Sequence, residues 1–133
     1  MKESVWLDRV DSLAIHEVLL EQHGGLAGVR DEGMLESALG KPRNLFAYAR
    51  PQLSDLAAAY AAGIILNPPF LDGNKRTGFM AAAAFLELNG QVFTATEVDA
   101  VIQTLALAAG ELDEAGYAAW LKQNSRRAKR TLH

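Results

Sequence analysis

Apolar residues along the chain fall into blocks at helical spacing, each bracketed by residues that start or stop helices. After a short apolar entry, Val5-Trp6-Leu7, Asp8 is placed to cap a helix reaching His23, with Val10, Leu13, Ile15, Val18 and Leu19 as its buried stripe. Gly24-Gly25 ends that helix, and Gly28 is expected to keep the next loop mobile. Asp31 caps a short helix, Glu32 to Leu39, closed by Gly40 and Pro42. Lys41 to Leu53 is the least regular stretch and reads as a loop across the domain, with Phe46 and Tyr48 packing onto the core. Ser54 then caps a third helix whose segment Leu56 to Leu66 is apolar nearly all round, the mark of a central, buried helix. Its Ala57-Ala58-Ala59 and Ala61-Ala62-Gly63 runs are small enough for a neighbour to approach closely.

Beyond Asn74 the theme repeats through Ala81 to Ala84, Phe85, Leu86 and Leu88, stopped by Asn89-Gly90. Gln91-Val92-Phe93 is a brief extended link. Thr96 and Asp99 have the spacing of a capping box for a helix from Glu97 to Ala109, ended by Gly110. Asp113 caps the last helix, Glu114 to Asn124, where Trp120 joins Tyr117 and Leu121 as core; Leu112 and Tyr117 have the spacing of a hydrophobic staple. The fold class is therefore all-α, a compact bundle of about six helices, with Leu56–Leu66 and Asn74–Leu88 at its centre.

At 133 residues the chain is long enough for one core, divided here into a domain over 1–125 and a basic C-terminal tail over 126–133. There is no apolar run of spanning length, and Met1-Lys2-Glu3-Ser4 lacks the apolar region of a signal peptide, so a cytoplasmic, non-membrane protein is expected. Without Cys there is no disulfide, thiolate chemistry or Cys-based metal site. The net charge of −3 hides an asymmetry: Lys122, Arg126, Arg127, Lys129 and Arg130 leave 8 basic and 16 acidic residues before them, a body of −8. Such a body repels a nucleic-acid backbone, and no direct nucleic-acid partner is expected. The basic tail reads as a solvated end rather than an RNA or acidic-partner contact. His16 and His23 lie seven apart with no carboxylate cluster to complete a metal site; His16 is assigned a structural hydrogen bond and His23 a surface C-terminal cap.

The chemistry concentrates in Asn67-Pro68-Pro69-Phe70-Leu71-Asp72-Gly73-Asn74-Lys75-Arg76-Thr77, between the two apolar helices. The two prolines end the first helix, and Gly73 turns the chain into the second. A helix N-terminus offers unpaired N–H groups and a positive dipole end, and Lys75 and Arg76 beside it suit phosphate. Asp72 would repel phosphate unless a divalent cation such as Mg²⁺ sits between them. On composition alone, an ordinary solvated helix–loop–helix corner stays open.

The order of residues in this loop resembles the signature of the Fic/Doc superfamily in its death-on-curing form, His-Pro-Phe-x-Asp-Gly-Asn-Lys-Arg-Thr. Pro69, Phe70, Asp72, Gly73, Asn74, Lys75, Arg76 and Thr77 match, and Pro68 stands where the family carries its catalytic His. The run from Gly28 to Leu39 resembles the segment after the family's first helix. Lys75, with Phe79 in place of a second Arg, points to the Doc branch rather than to adenylyl-transferring Fic enzymes. The resemblance implies a toxin of a toxin–antitoxin pair that moves the γ-phosphoryl group of ATP to a threonine of elongation factor Tu. It implies Asp72 as the Mg²⁺ ligand, Lys75 and Arg76 as neutralisers of phosphate charge, Gly73 and Asn74 as shapers of the phosphate-binding backbone, and Phe70 as loop anchor. It also implies an antitoxin partner with a disordered C-terminal segment. No inhibitory Ser/Thr-x-x-x-Glu-Gly or -Asn helix is found, so control in trans is expected. Pro68 has no titratable group, so the position of the general base is expected to be catalytically impaired. A pseudoenzyme, a disabled toxin variant and an enzyme with another base are the readings left, and a non-catalytic binding module holding an antitoxin or target segment is the alternative function.

Overall fold

The computed structural model describes residues 3–129. Six helices follow in order: α1 (Arg9–His23), α2 (Glu32–Tyr48), α3 (Leu53–Leu66), α4 (Asn74–Leu88), α5 (Glu97–Ala109) and α6 (Glu114–Gln123). Two three-residue strands, β1 (Gln91–Phe93) and β2 (Ser125–Arg127), pair antiparallel with Gln91 opposite Arg127 and Phe93 opposite Ser125. The all-α bundle of six helices is therefore the fold, with one small ribbon closing its far end. No helix among the described residues is long and apolar enough to cross a membrane.

Local capping chemistry places most helix starts. Asp8 accepts the Asp11 N–H at 3.0 Å while Asp11 accepts that of Asp8 at 2.9 Å, a reciprocal capping box. Asp31 caps α2 through Met34, Thr96 caps α5 through Asp99, and Asp113 caps α6 through Gly116. Ser54 does not cap α3. The helix begins one residue earlier, at Leu53, and Asp55 accepts the Gln52 N–H at 2.8 Å, so Ser54 is already inside the first turn and buried.

The second helix corrects the sequence reading most. It does not stop at Leu39 but runs on to Tyr48, with Pro42 inside it. Proline in a helix removes the N–H that would reach residue 38 and costs about 3 kcal/mol. The cost is offset by burial: Leu35, Ala38 and Pro42 face inward, and Leu45 and Phe46 pack on the core. A close approach makes this possible, because a Cβ on Gly63 of α3 would sit 3.1 Å from the Ala38 Cα. Phe46 packs edge-on against Trp6, but Tyr48 is 89 % exposed and does not join the core.

Along α1 the buried face is Ser12, His16 and Leu19, while Val10 and Val18 point to solvent at 72 % and 52 % exposure. Of the expected apolar stripe, Leu19 is buried and Leu13 packs on the core, while the polar Ser12 and His16 complete a face that composition did not mark. Helix α3 is buried at Ser54 and throughout Leu56 to Ile65, and α4 packs along it, so these two form the centre as expected. The entry segment docks on α3 through Tyr60, whose hydroxyl accepts the Leu7 N–H at 2.9 Å. Arg126 and Arg127, placed by sequence in a solvated tail, belong to the β-ribbon; Arg130 and the end of the tail lie outside the described residues.

Between α5 and α6 the Tyr117 hydroxyl lies 2.9 Å from Thr104 Oγ1 in a buried pair. Burial pushes the Tyr117 phenol up to about 12. Its folded value exceeds the ordinary value near 10, so the stability tied to the neutral phenol is complete below about pH 10 and is lost as pH rises toward 12. Urea denaturation is expected to show a loss of roughly 2–3 kcal/mol across that window. The Tyr117→Phe variant should lose less over the same window. An equal alkaline loss in that variant would place the effect elsewhere.

Candidate functional site

The segment from Asn67 to Gly73 leaves the C-terminus of α3 and enters α4, and it is held from three directions. The first hold is local. Asn74 accepts the Phe70 N–H with Oδ1 and donates to the Phe70 carbonyl with Nδ2, both at 3.0 Å, so one amide clamps both backbone groups of a single residue. The second comes from α1. His16 Nε2 lies 2.8 Å from the Asp72 carbonyl, which can only accept, so Nε2 carries the proton in this contact. The His16 ring also stacks on Phe70, centroids 4.0 Å apart and 10° from parallel. The structural role assigned to His16 thus has a defined partner.

The third hold is the α1–α2 connection, which runs antiparallel beside the loop. Arg30 and Asp31 donate backbone N–H groups to the Pro69 carbonyl at 2.7 and 3.1 Å, Leu71 donates to Gly28, and Val29 bridges Phe70. The connection is therefore pinned, contrary to the mobility expected from Gly28. The Arg30 guanidinium adds a side-chain grip: Nε donates to the Pro68 carbonyl at 3.1 Å, and Nη2 bonds the same oxygen. Arg30 was not singled out from sequence. It lies 38 residues from Pro68, and only its place in the second stretch of family resemblance hinted at a connection to the loop.

These holds sort the predicted site residues. Phe70, 1 % exposed, is the loop anchor in geometry. Gly73 sits in the left-handed region (φ 75°), which turns the chain into α4, and no side chain caps that helix. The N–H groups of Asn74, Lys75 and Arg76 are left without acceptors among the described residues. The Asn74 side chain, spent on Phe70, shapes the loop and does not itself face outward as a ligand. Lys75 and Arg76 are exposed, and neither forms an ion pair among the described residues. Asp72 is exposed with its carboxylate held at the loop: Oδ1 accepts the Gly73 N–H at 2.9 Å and Oδ2 the Leu26 N–H at 3.3 Å. A Cβ on Gly25 would fall 2.8 Å from that Oδ2, so the connection must have glycine there for Asp72 to keep its place. Thr77 is fully enclosed, and its hydroxyl finds no partner. No group of three or more His, Cys, Asp or Glu side chains that could hold a metal occurs among the described residues.

The loop thus sets one positioned carboxylate, Asp72, before a helix start that has no side-chain cap and carries two cations without ion pairs among the described residues. Residues 6–86 match the Fic/DOC family. The chain is 32 % identical over 113 residues to protein kinase doc of Escherichia phage P1, covering 84 % of this chain and 88 % of that protein. It is 39 % identical over 87 residues to toxin Doc of Mycolicibacterium smegmatis, covering 64 % of this chain and 65 % of that one. The chain belongs to the Fic/DOC family, and its relatives include a Doc toxin and the protein kinase doc.

Proposed function

We propose that the chain is the toxin scaffold of a toxin–antitoxin pair, built to bind Mg²⁺·ATP at the start of α4 and impaired in phosphoryl transfer because Pro68 occupies the general-base position. The observation carrying this reading is the α4 entrance itself. Three N–H groups, Lys75 and Arg76 lie together in the first turn of α4, and none of them has a hydrogen-bond acceptor or ion-pair partner among the described residues. That arrangement suits a polyphosphate. The donor set also suits Mg²⁺, which commonly takes one or two carboxylates and fills its shell with water and phosphate oxygens. Each Asp72 oxygen accepts one backbone N–H and keeps a lone pair free to face a cation. When bound, Mg²⁺ supplies charge neutralisation between the carboxylate and the phosphates.

Within this proposal, the chain's own residues bind and orient. Arg30, His16 and Asn74 fix the loop, so that the N–H groups and Asp72 need no rearrangement when phosphate arrives. Lys75 and Arg76 meet the charge that shifts onto the phosphate oxygens during transfer to a threonine hydroxyl of elongation factor Tu. No proton acceptor stands at position 68.

Calorimetry with ATP and Mg²⁺ tests the anion site. Arg76→Ala is expected to weaken binding about tenfold or more, the loss of one charge-assisted contact of about 1.5–3 kcal/mol. Binding indifferent to the substitution would move the phosphates away from α4. Its relative named a Doc toxin and the acidic body together support an antitoxin partner, an amphipathic segment with basic residues. Co-expression with the product of an adjacent small gene is expected to give a stable complex. Two folded chains that do not co-purify would count against the toxin–antitoxin assignment and favour a binding module with another partner.

A further inference from the structure

The other end of α3 carries a second concentration of unpaired donors. Fourteen helical residues separate it from the signature loop, about 20 Å along the axis. A cavity of about 390 Å³ opens there. Lys122 from the last turn of α6 and Arg126 and Arg127 from β2 line it, and none of the three forms an ion pair among the described residues. Leu53 and Leu86 give it an apolar floor, and no carboxylate lines it.

Helix α3 starts at this cavity, with Gln52 at its N-cap. Asp55 engages the Gln52 N–H, but the N–H groups of Leu53 and Ser54 have no acceptor among the described residues. Ser54 lines the cavity while only 7 % exposed, and its hydroxyl makes no hydrogen bond with any described residue. Asp55, the nearest carboxylate in sequence, lines a separate depression with Pro51 and Glu114.

We propose that this cavity is a second anion site, distinct from the α4 entrance, which takes a small organic phosphate. A phosphomonoester carries about −1.5 to −2 charges at neutral pH with three strong acceptors, a match for the cations, the two N–H groups and the Ser54 hydroxyl. Leu53 and Leu86 would cover its carbon skeleton. The volume falls in the range of small-molecule sites. A nucleic acid would need a groove continuing along its backbone.

The test is a ¹H–¹⁵N NMR titration of the full chain with ribose 5-phosphate at constant ionic strength. Saturable shifts are expected at the Leu53 and Ser54 amides. Affinity should fall at least tenfold in a Lys122→Gln, Arg126→Gln double variant and severalfold in Ser54→Ala, while Arg76→Ala leaves it unchanged. The substituted cations are exposed, and unchanged amide positions elsewhere would show that the fold persists. Shifts that fail to saturate, or that survive the double substitution, would overturn the proposal. So would a single-stranded RNA oligonucleotide that binds these amides a hundredfold more tightly than the sugar phosphate. Because the α4 entrance is read out separately through Arg76, failure of one site leaves the other's result intact.

Discussion

Replacing Pro68 with His is expected to make the chain toxic when induced in bacteria and able to transfer phosphate from ATP to elongation factor Tu in vitro. A positioned general base contributes about 10²–10⁴-fold in rate, and the parent should fall short by at least that factor. The loop is prepared for the change. Proline has no N–H, so none of the bonds holding the loop passes through the Pro68 nitrogen. The holds on this stretch use the carbonyls of Pro68 and Pro69, which a histidine would leave in place. Position 68 is only half-buried, so an imidazole has room, and Pro69 still keeps the preceding residue extended. The new residue gains φ freedom, a cost of less than about 1 kcal/mol to the fold. A folded Pro68→His variant that binds ATP and transfers nothing would favour the binding-module alternative. Transfer by the parent chain at the variant's rate would show that another residue takes the proton.

Phe70→Ala is expected to be the most damaging single truncation in the loop, lowering stability by about 3–5 kcal/mol. The ring is fully enclosed and stacks on His16, while its backbone is clamped by Asn74 and bridged by Val29. Removing it opens a cavity at the point where α1, the α1–α2 connection and α4 converge. A domain of this size has about 5–15 kcal/mol in all, so the variant should sit close to its unfolding limit. Urea denaturation measures the loss, and Phe70→Leu, which leaves part of the volume filled, should lose less. Should the Ala variant lose under about 1 kcal/mol while still binding Mg²⁺·ATP normally, the ring would not be what holds the loop.

How much of this was legible differs from element to element. The caps at Asp8, Asp31, Thr96 and Asp113 could be read because donor and acceptor lie three residues apart. The buried centre, α3 and α4, could be read because a segment without a polar face has nowhere else to go. The length of α2 could not. Gly40 and Pro42 are valid stop signals by propensity, and only the apposition of Ala38 with Gly63 makes continuing the helix worthwhile. The ribbon was half visible: Gln91–Phe93 reads as extended, but its partner is a run of basic residues with no strand pattern of its own.

The candidate site divides in the same way. Sequence by itself determined the inventory: a proline-terminated α3, a glycine turn, two cations at the start of α4, a carboxylate before them, and a proline where a base is expected. These depend on residue identity and short-range order, which the chain carries openly. Only the tertiary structure decided how the loop is held. Arg30 reaches the Pro68 carbonyl across 38 residues and His16 reaches Asp72 across 56, while Gly25 makes room for the Asp72 carboxylate. The same holds for Lys122, Arg126 and Arg127, which become one wall of a cavity only when α6 and β2 close over the start of α3. Contacts between residues so far apart exist only once the helices have packed, because packing geometry, not local preference, chooses which backbone groups each side chain meets.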